Sequence, residues 1–204
     1  MLYVVQRYAE HSCDTVKMID SVLYRIRIDA TMRTKIHGSA VGPAKWSPNG
    51  KRIALASGWG NRSCAVFIRA ASGNVVRRLV GIPWVDEGCF SAAGIFAWLP
   101  TGELVVAEGS DVATYDVETG HRRLIGGTTR QRCGTADLDP PCENRIAAVS
   151  SNGQYVAVEE LPELPNSGSK IPGRLYVVRS DGSQLWELPY PKAREFSVFL
   201  SSGS

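Results

Sequence analysis

Three histidines and five cysteines are the side chains of this chain best suited to nucleophilic or metal chemistry. His11, Cys13 and Asp14 lie together in "HSCD", a combination that would suit a thiol site or a metal. Neighbouring residues in a loop seldom converge on one atom, and neither His37 nor His121 falls where it would join them. His37 reads as part of a short "HGSAVG" connection, and His121 follows a tight turn. Cys13, Cys64, Cys89, Cys133 and Cys142 form no Cys-x-x-Cys pair, so their spacing does not predict zinc. Cys133 and Cys142 share the turn-rich "RCGTADLDPPCE", a candidate local disulfide if the compartment is oxidising; free thiols are the alternative. Asp137, Asp139 and Glu143 could hold calcium, but the EF-hand pattern is absent and the favoured reading is a solvated loop. There is no Gly-x-Ser-x-Gly elbow, P-loop or dinucleotide fingerprint. The expectation is a protein without catalytic residues, cofactor or metal.

Composition narrows the class. The 204 residues are 44% apolar and 21% charged, as in a folded domain. A net charge of +3, with no run of Lys and Arg, does not point to nucleic acid. No apolar stretch approaches the roughly 18–20 residues of a membrane-spanning helix. "MLYVVQRYAEHS" lacks a basic leader region and reads as no signal peptide, so the expected location is the cytoplasm, or a periplasmic or secreted one if the chain is processed or truncated.

The elements that position these residues repeat. "AKWSPNGKRIALAS" (44–57) has counterparts in "FAWLPTGELVVAEG" (96–109), "AAVSSNGQYVAVEE" (147–160) and the shorter "SVFLSSGS" (197–204). Their turn glycines Gly50, Gly102, Gly153 and Gly203 are spaced 52, 51 and 50 residues apart. A second strand–turn–strand motif follows each: "VFIRAASGNVVRRL" (66–79), "ATYDVETGHRRLI" (113–125) and "LYVVRSDGSQLWEL" (175–188), with an earlier copy, "LYRIRIDATMRTKI", at 23–36. A unit of four strands, A to D, over about 50 residues is the size of one β-propeller blade. The predicted fold is therefore all-β, a β-propeller of four-stranded antiparallel blades.

The chain opens on what reads as a strand B and closes on what reads as a strand A. Joining the ends completes a fourth blade. This predicts one domain over 1–204, with blade one split between 194–204 and 1–38, blade two at 39–81, blade three at 82–130 and blade four at 131–193. The last strand would close a four-bladed ring and remove its open edges. The alternative is a fragment of a larger propeller.

"WSPNGKRIALAS", "WLPTGELVVA", "YDVETGHRRL" and "VSSNGQYVAV" resemble the WD-like propeller repeats of TolB-type proteins, which carry a Trp-Ser-Pro-Asp-Gly turn before a strand. The usual turn Asp is here Asn49, Thr101, Asn152 and Ser202. The resemblance implies a binding scaffold; the same repeat serves as the propeller of prolyl-oligopeptidase-like peptidases.

The A–B and C–D turns all read as tight. The longer connections, 9–20, 57–63, 81–94, 126–144 and 159–173, are all B–C or D–A and fall on the other face. Trp59, Arg62, Trp84, Asp86, Glu87, Pro162, Pro165 and Lys170 lie there and are the candidate binding residues. Trp59 and Trp84 read either as anchors for a partner or as caps over the core beneath. Trp46 and Trp98, at equivalent inner-strand positions, read as core, and Trp186 as packing between blades. The favoured function is a monomeric, non-enzymatic propeller that binds a protein or peptide. The alternatives are the gating unit of a larger peptidase-like protein and a metal-dependent hydrolase propeller.

Overall fold

The computed structural model describes residues 2–12, 15–26, 29, 31–38, 41–57, 63–79, 82–83, 95–109, 111–127, 142–162 and 174–188. Among them are sixteen strands and no helix. The chain divides into two compact units, Met1–Ala92 and Ala93–Ser204.

The first unit holds two sheets. β1 (Leu2–Ser12), β2 (Thr15–Ile26) and β3 (Arg33–Gly38) form one in the order β1-β2-β3. β4 (Val41–Trp46), β5 (Arg52–Ser57), β6 (Ser63–Ala70) and β7 (Val75–Arg78) form the second, and β8 (Ile82–Pro83) pairs with the start of β6. The second unit holds β9 (Phe96–Trp98), β10 (Leu104–Glu108), β11 (Asp111–Tyr115) and β12 (Arg122–Gly127) in one sheet. The other is β13 (Cys142–Val149), β14 (Tyr155–Pro162), β15 (Arg174–Arg179) and β16 (Leu185–Leu188). Every pairing is antiparallel, and apart from β8 successive strands within each sheet are neighbours.

Two expectations are corrected here. Residues 9–20 are no irregular connection: β1 and β2 stay paired from Leu2↔Ile26 to Ser12↔Thr15, with a bulge at Tyr8/Ala9. Once the apolar pairs Val4↔Tyr24 and Val5↔Leu23 are in register, further polar pairs extend the ladder by backbone hydrogen bonds alone. His37, read as part of a connection, belongs to β3, where it pairs with Leu23.

Burial is deep at the second strand of each four-stranded sheet. Ile53–Ala56 on β5, Leu104–Ala107 on β10 and Val156–Val158 on β14 are buried without alternation, so both faces of these strands are covered. Outer strands β7 and β16 are largely exposed. In the second unit the two sheets pack through Leu99, Val105, Ala107, Val112 and Ile125 against Ile146, Val156, Val158, Tyr176 and Val178. Each large apolar side chain removed from water contributes about 1.5–3 kcal/mol. Trp46 and Trp98 occupy equivalent positions, opposite Ile53 and Leu104, but are half-buried rather than sealed in the core. Trp186 is 40% exposed and leans on Tyr155 of its own sheet, with ring centres 5.9 Å apart.

Candidate functional site

The tight turns build one end of each sheet. Gly50, Gly102 and Gly153 adopt φ of +68°, +92° and +72°, and each donates its N–H to the carbonyl three residues back, of Ser47, Leu99 and Ser150, at 2.9 Å. Asn49 and Asn152 take over the work of the usual turn Asp. Asn49 Oδ1 accepts from Lys51 N–H at 3.0 Å and lies 2.8 Å from Ser47 Oγ; Asn152 Oδ1 accepts from Gln154 N–H at 3.0 Å and lies 2.8 Å from Ser150 Oγ. Ser47 Oγ in turn accepts from Arg52 N–H at 2.9 Å, and Ser150 Oγ from Tyr155 N–H at 2.9 Å.

The C–D turns close on positive-φ glycines too: Gly73 and Gly182 donate to the carbonyl three residues back, of Ala70 and Arg179, and Gly120 to the carbonyl four back, of Asp116. Asp29, between β2 and β3, and Asp181 accept first from the hydroxyls and then from the N–H groups of Thr31 and Ser183, and Asp116 accepts from the N–H groups of Thr119 and Glu118; these hydrogen bonds hold the three carboxyls below the ordinary range. Ala71 N–H reaches Lys51 O, and Ser180 N–H reaches Gln154 O, so A–B and C–D turns lie at the same end of their sheet. Several backbone and side-chain groups at this end hydrogen-bond to one another.

The opposite end of the second unit carries a buried polar group. Asn144, at the start of β13, donates both its backbone N–H (2.9 Å) and its Nδ2 (3.0 Å) to the carbonyl of Gly109, just past β10. The Tyr176 hydroxyl of β15 donates to Asn144 Oδ1 at 2.9 Å. Glu160, near the end of β14, is register partner to both Asn144 and Arg174 and is only 6% exposed. Burial first, then the Glu160 and Asp111 charges, pushes the Tyr176 phenol well above its ordinary value. The phenol therefore stays protonated through the neutral range and serves as a donor, with its hydrogen committed to Asn144.

The β9–β12 sheet carries a second network. Arg122 donates through Nε (3.0 Å) and a terminal nitrogen (2.8 Å) to Glu108 Oε2, and reaches Asp111 Oδ2 at 3.1 Å. Tyr115 donates its hydroxyl to Glu108 Oε1. Burial and the adjacent Glu108 carboxylate raise this phenol too.

Among the residues singled out from sequence, Trp59, Arg62, Trp84, Asp86, Glu87, Pro165, Lys170 and Cys133 lie outside the described residues, as do Cys13, Asp14, Asp137 and Asp139. The pairing of Cys133 with Cys142 and the closing strand within 194–204 lie there as well. Pro162 and Cys142 face each other across β13 and β14, at the strand ends that flank the longer connections. Glu159 and Glu160, at the start of the expected 159–173 connection, belong to β14 instead, and Glu160 is buried. The strand runs on because "YVAVEELP" keeps its ladder to both β13 and β15 as far as Glu160. Among the described residues no three His, Cys, Asp or Glu side chains are grouped to hold a metal ion. Sequence reasoning missed Asn144 and Tyr176; the one available signal was a lone Asn ahead of the apolar "RIAAV".

No family model matches the chain, and no curated protein matches it. Among solved structures, oligogalacturonate lyase in complex with manganese is similar over 88% of this chain and 44% of its own, at 16% identity and a TM-score of 0.52. An uncharacterized protein from Listeria monocytogenes EGD-e is similar over 90% of this chain and 53% of its own, at 14% identity and a TM-score of 0.49. TolB from Acinetobacter baumannii is similar over 86% and 50%, at 13% identity and a TM-score of 0.41. The chain spans about half the length of these structures. Likeness at such identities is one of fold. Antiparallel four-stranded meanders that recur about every 50 residues, buried at their second strand and exposed at their fourth, are β-propeller blades, and the fold is that of a β-propeller.

Proposed function

We propose that this chain is a non-enzymatic binding scaffold that takes a protein or peptide on the face of its B–C and D–A connections. The observation that carries the reading is the contrast between the two ends of the blades. The A–B and C–D turns are short and satisfy their own hydrogen bonds, which leaves little to offer a partner. The longer connections all leave from the other end, where a buried frame of Asn144, Tyr176 and Gly109 ties the second unit's sheets together. Connections carried on rigid strands are where binding residues concentrate. Trp59 and Trp84 are the proposed anchors, with Arg62, Asp86, Glu87 and Lys170 as the polar surround. Pro162 and Pro165 stiffen the 159–173 segment and lower the ordering cost of binding.

The test is selection of peptides from a displayed library on the immobilised chain, followed by affinity measurements on variants. Trp59→Ala and Trp84→Ala should weaken the selected peptides about tenfold or more with little change in melting temperature. Ser72→Arg, on an exposed C–D turn, should leave affinity unchanged. Peptides that tolerate both tryptophan variants but are lost with Ser72→Arg would move the site to the turn face and overturn the proposal.

A further inference from the structure

Asn is followed by Gly at two places in the chain, Asn49-Gly50 and Asn152-Gly153, and both pairs sit in A–B turns. The amide carbon of an asparagine is open to attack by the backbone nitrogen of the next residue, and glycine, with no Cβ and a free φ, hinders that attack least. The two turns share their hydrogen bonds. In each, the Asn side-chain oxygen accepts the N–H two residues on and lies against a serine hydroxyl, Ser47 or Ser150. Such donors draw electron density from Cγ and steady the oxygen as it takes up negative charge. In each, the glycine N–H is given to the carbonyl three residues back, so its nitrogen becomes a nucleophile only when that bond opens. The surroundings differ. Gly50 is exposed, and an added Cβ would meet nothing within 4 Å. Gly153 is buried, and the same atom would lie 2.7 Å from Cδ of Pro100, in the A–B turn of the β9–β10 hairpin. The Asn152 Nδ2, which would have to leave, also donates to Gln154 Oε1 at 3.4 Å. A turn with open space around it opens more readily than one held by a neighbouring hairpin.

We propose that Asn49 is a site of spontaneous covalent modification, deamidation through Gly50, and that Pro100 shields Asn152 from the same reaction. The Gly50 nitrogen gives its proton to hydroxide and bonds to Asn49 Cγ. The Cγ–Nδ2 bond breaks, and Nδ2 takes a proton from water and leaves as ammonia. Water then opens the cyclic imide that remains. Opening at Cγ yields aspartate on an unaltered backbone, with an oxygen still able to accept the Lys51 N–H. Opening at the backbone carbonyl yields isoaspartate: the main chain now runs through Cβ and Cγ and is longer by one carbon. The Gly50 N–H to Ser47 carbonyl bond, which closes the turn, then has a longer ring to span, and the β4–β5 hairpin loses its tight connection. Either product adds a negative charge two residues before Lys51. The reaction uses only water and the chain itself.

The experiment is timed incubation of the full chain in mildly alkaline buffer, native and in urea, followed by peptide mapping with mass spectrometry. Replacement of an amide NH2 by OH shows as a mass gain at the modified residue, and electron-transfer fragmentation separates aspartate from isoaspartate. In urea, where neither turn exists, Asn49 and Asn152 should react at rates within about twofold of each other, since both precede glycine. In the native chain Asn49 should react about tenfold faster than Asn152, or more. Pro100→Ala should raise the native rate at Asn152 and leave that at Asn49 unchanged. Circular dichroism checks that this variant keeps its fold, and the wild-type comparison decides the matter even if the variant is less stable. Native Asn152 keeping pace with Asn49 would overturn the proposal. So would a native chain in which Asn49 stays intact while the urea-unfolded chain deamidates, because the A–B turn would then be protecting it.

Discussion

The guanidinium of Arg123, on the outer strand of one blade, donates to the carbonyl of Ser180 in the C–D turn of the next, 2.9 Å away and 57 residues further along the chain. A second nitrogen of the same group meets Glu103 Oε1 at 3.3 Å. One planar side chain thus ties β12 to its own A–B turn and to the neighbouring blade.

Arg123→Leu should lower stability by about 1 kcal/mol, the lower range for a charge-assisted hydrogen bond because the side chain is more than a third exposed. Arg123→Lys should recover less than half of that, since a single ammonium cannot reproduce the fork that serves both acceptors. Urea unfolding at constant m-value checks both.

Gly153 and Gly102 look interchangeable in sequence and are not. Both have positive φ, +72° and +92°. A Cβ at Gly102 would meet nothing within 4 Å, whereas one at Gly153 would lie 2.7 Å from Pro100 Cδ. Gly102→Ala should cost about 1–2 kcal/mol from backbone strain alone. Gly153→Ala should cost about 1 kcal/mol more. Adding Pro100→Ala to the Gly153 variant should remove most of that excess, as read by thermal unfolding.

Tyr176→Phe removes the hydroxyl that satisfies Asn144 Oδ1 and should cost about 1–2 kcal/mol, as expected for a buried acceptor left bare. A related effect appears in alkali. Tyr115 and Tyr176 both hold their protons beyond the ordinary phenol value of about 10. Above that pH the unfolded chain releases protons that the folded chain keeps, so stability falls as pH rises. Absorbance titration should show Tyr115 and Tyr176 ionising late, together with unfolding, and the Tyr176→Phe variant should lose one of these late steps.

Arg122→Ala should lower stability by about 1 kcal/mol in dilute buffer, and by less in molar salt, because Glu108 is 15% exposed and its partner 39%. A cost independent of salt would mean that the aliphatic stem of Arg122, and not its charge, matters here.

The amino-acid sequence by itself determined the repeat, the blade size and the turns. Each turn is decided by contacts between residues five or fewer apart: Gly50 with Ser47, Asn49 with Lys51, and Arg52 with Ser47. Asn suits these turns because its side-chain oxygen accepts the N–H two residues on, of Lys51 and Gln154. Strand ends were less legible. The polar 9–20 and 159–162 read as loop, yet they extend ladders already in register, since backbone pairing asks for no buried side chain.

Only the tertiary structure decided which polar residues are buried and what they hold. Glu160 sat among several acidic residues of one stretch, and its burial depends on Asn144 and Arg174 arriving on either side. Tyr176 finds Asn144 across 32 residues, and Arg123 finds Ser180 across 57. Such partners are chosen when sheets pack, by which faces the register turns toward each other, and no local pattern of residues encodes that choice.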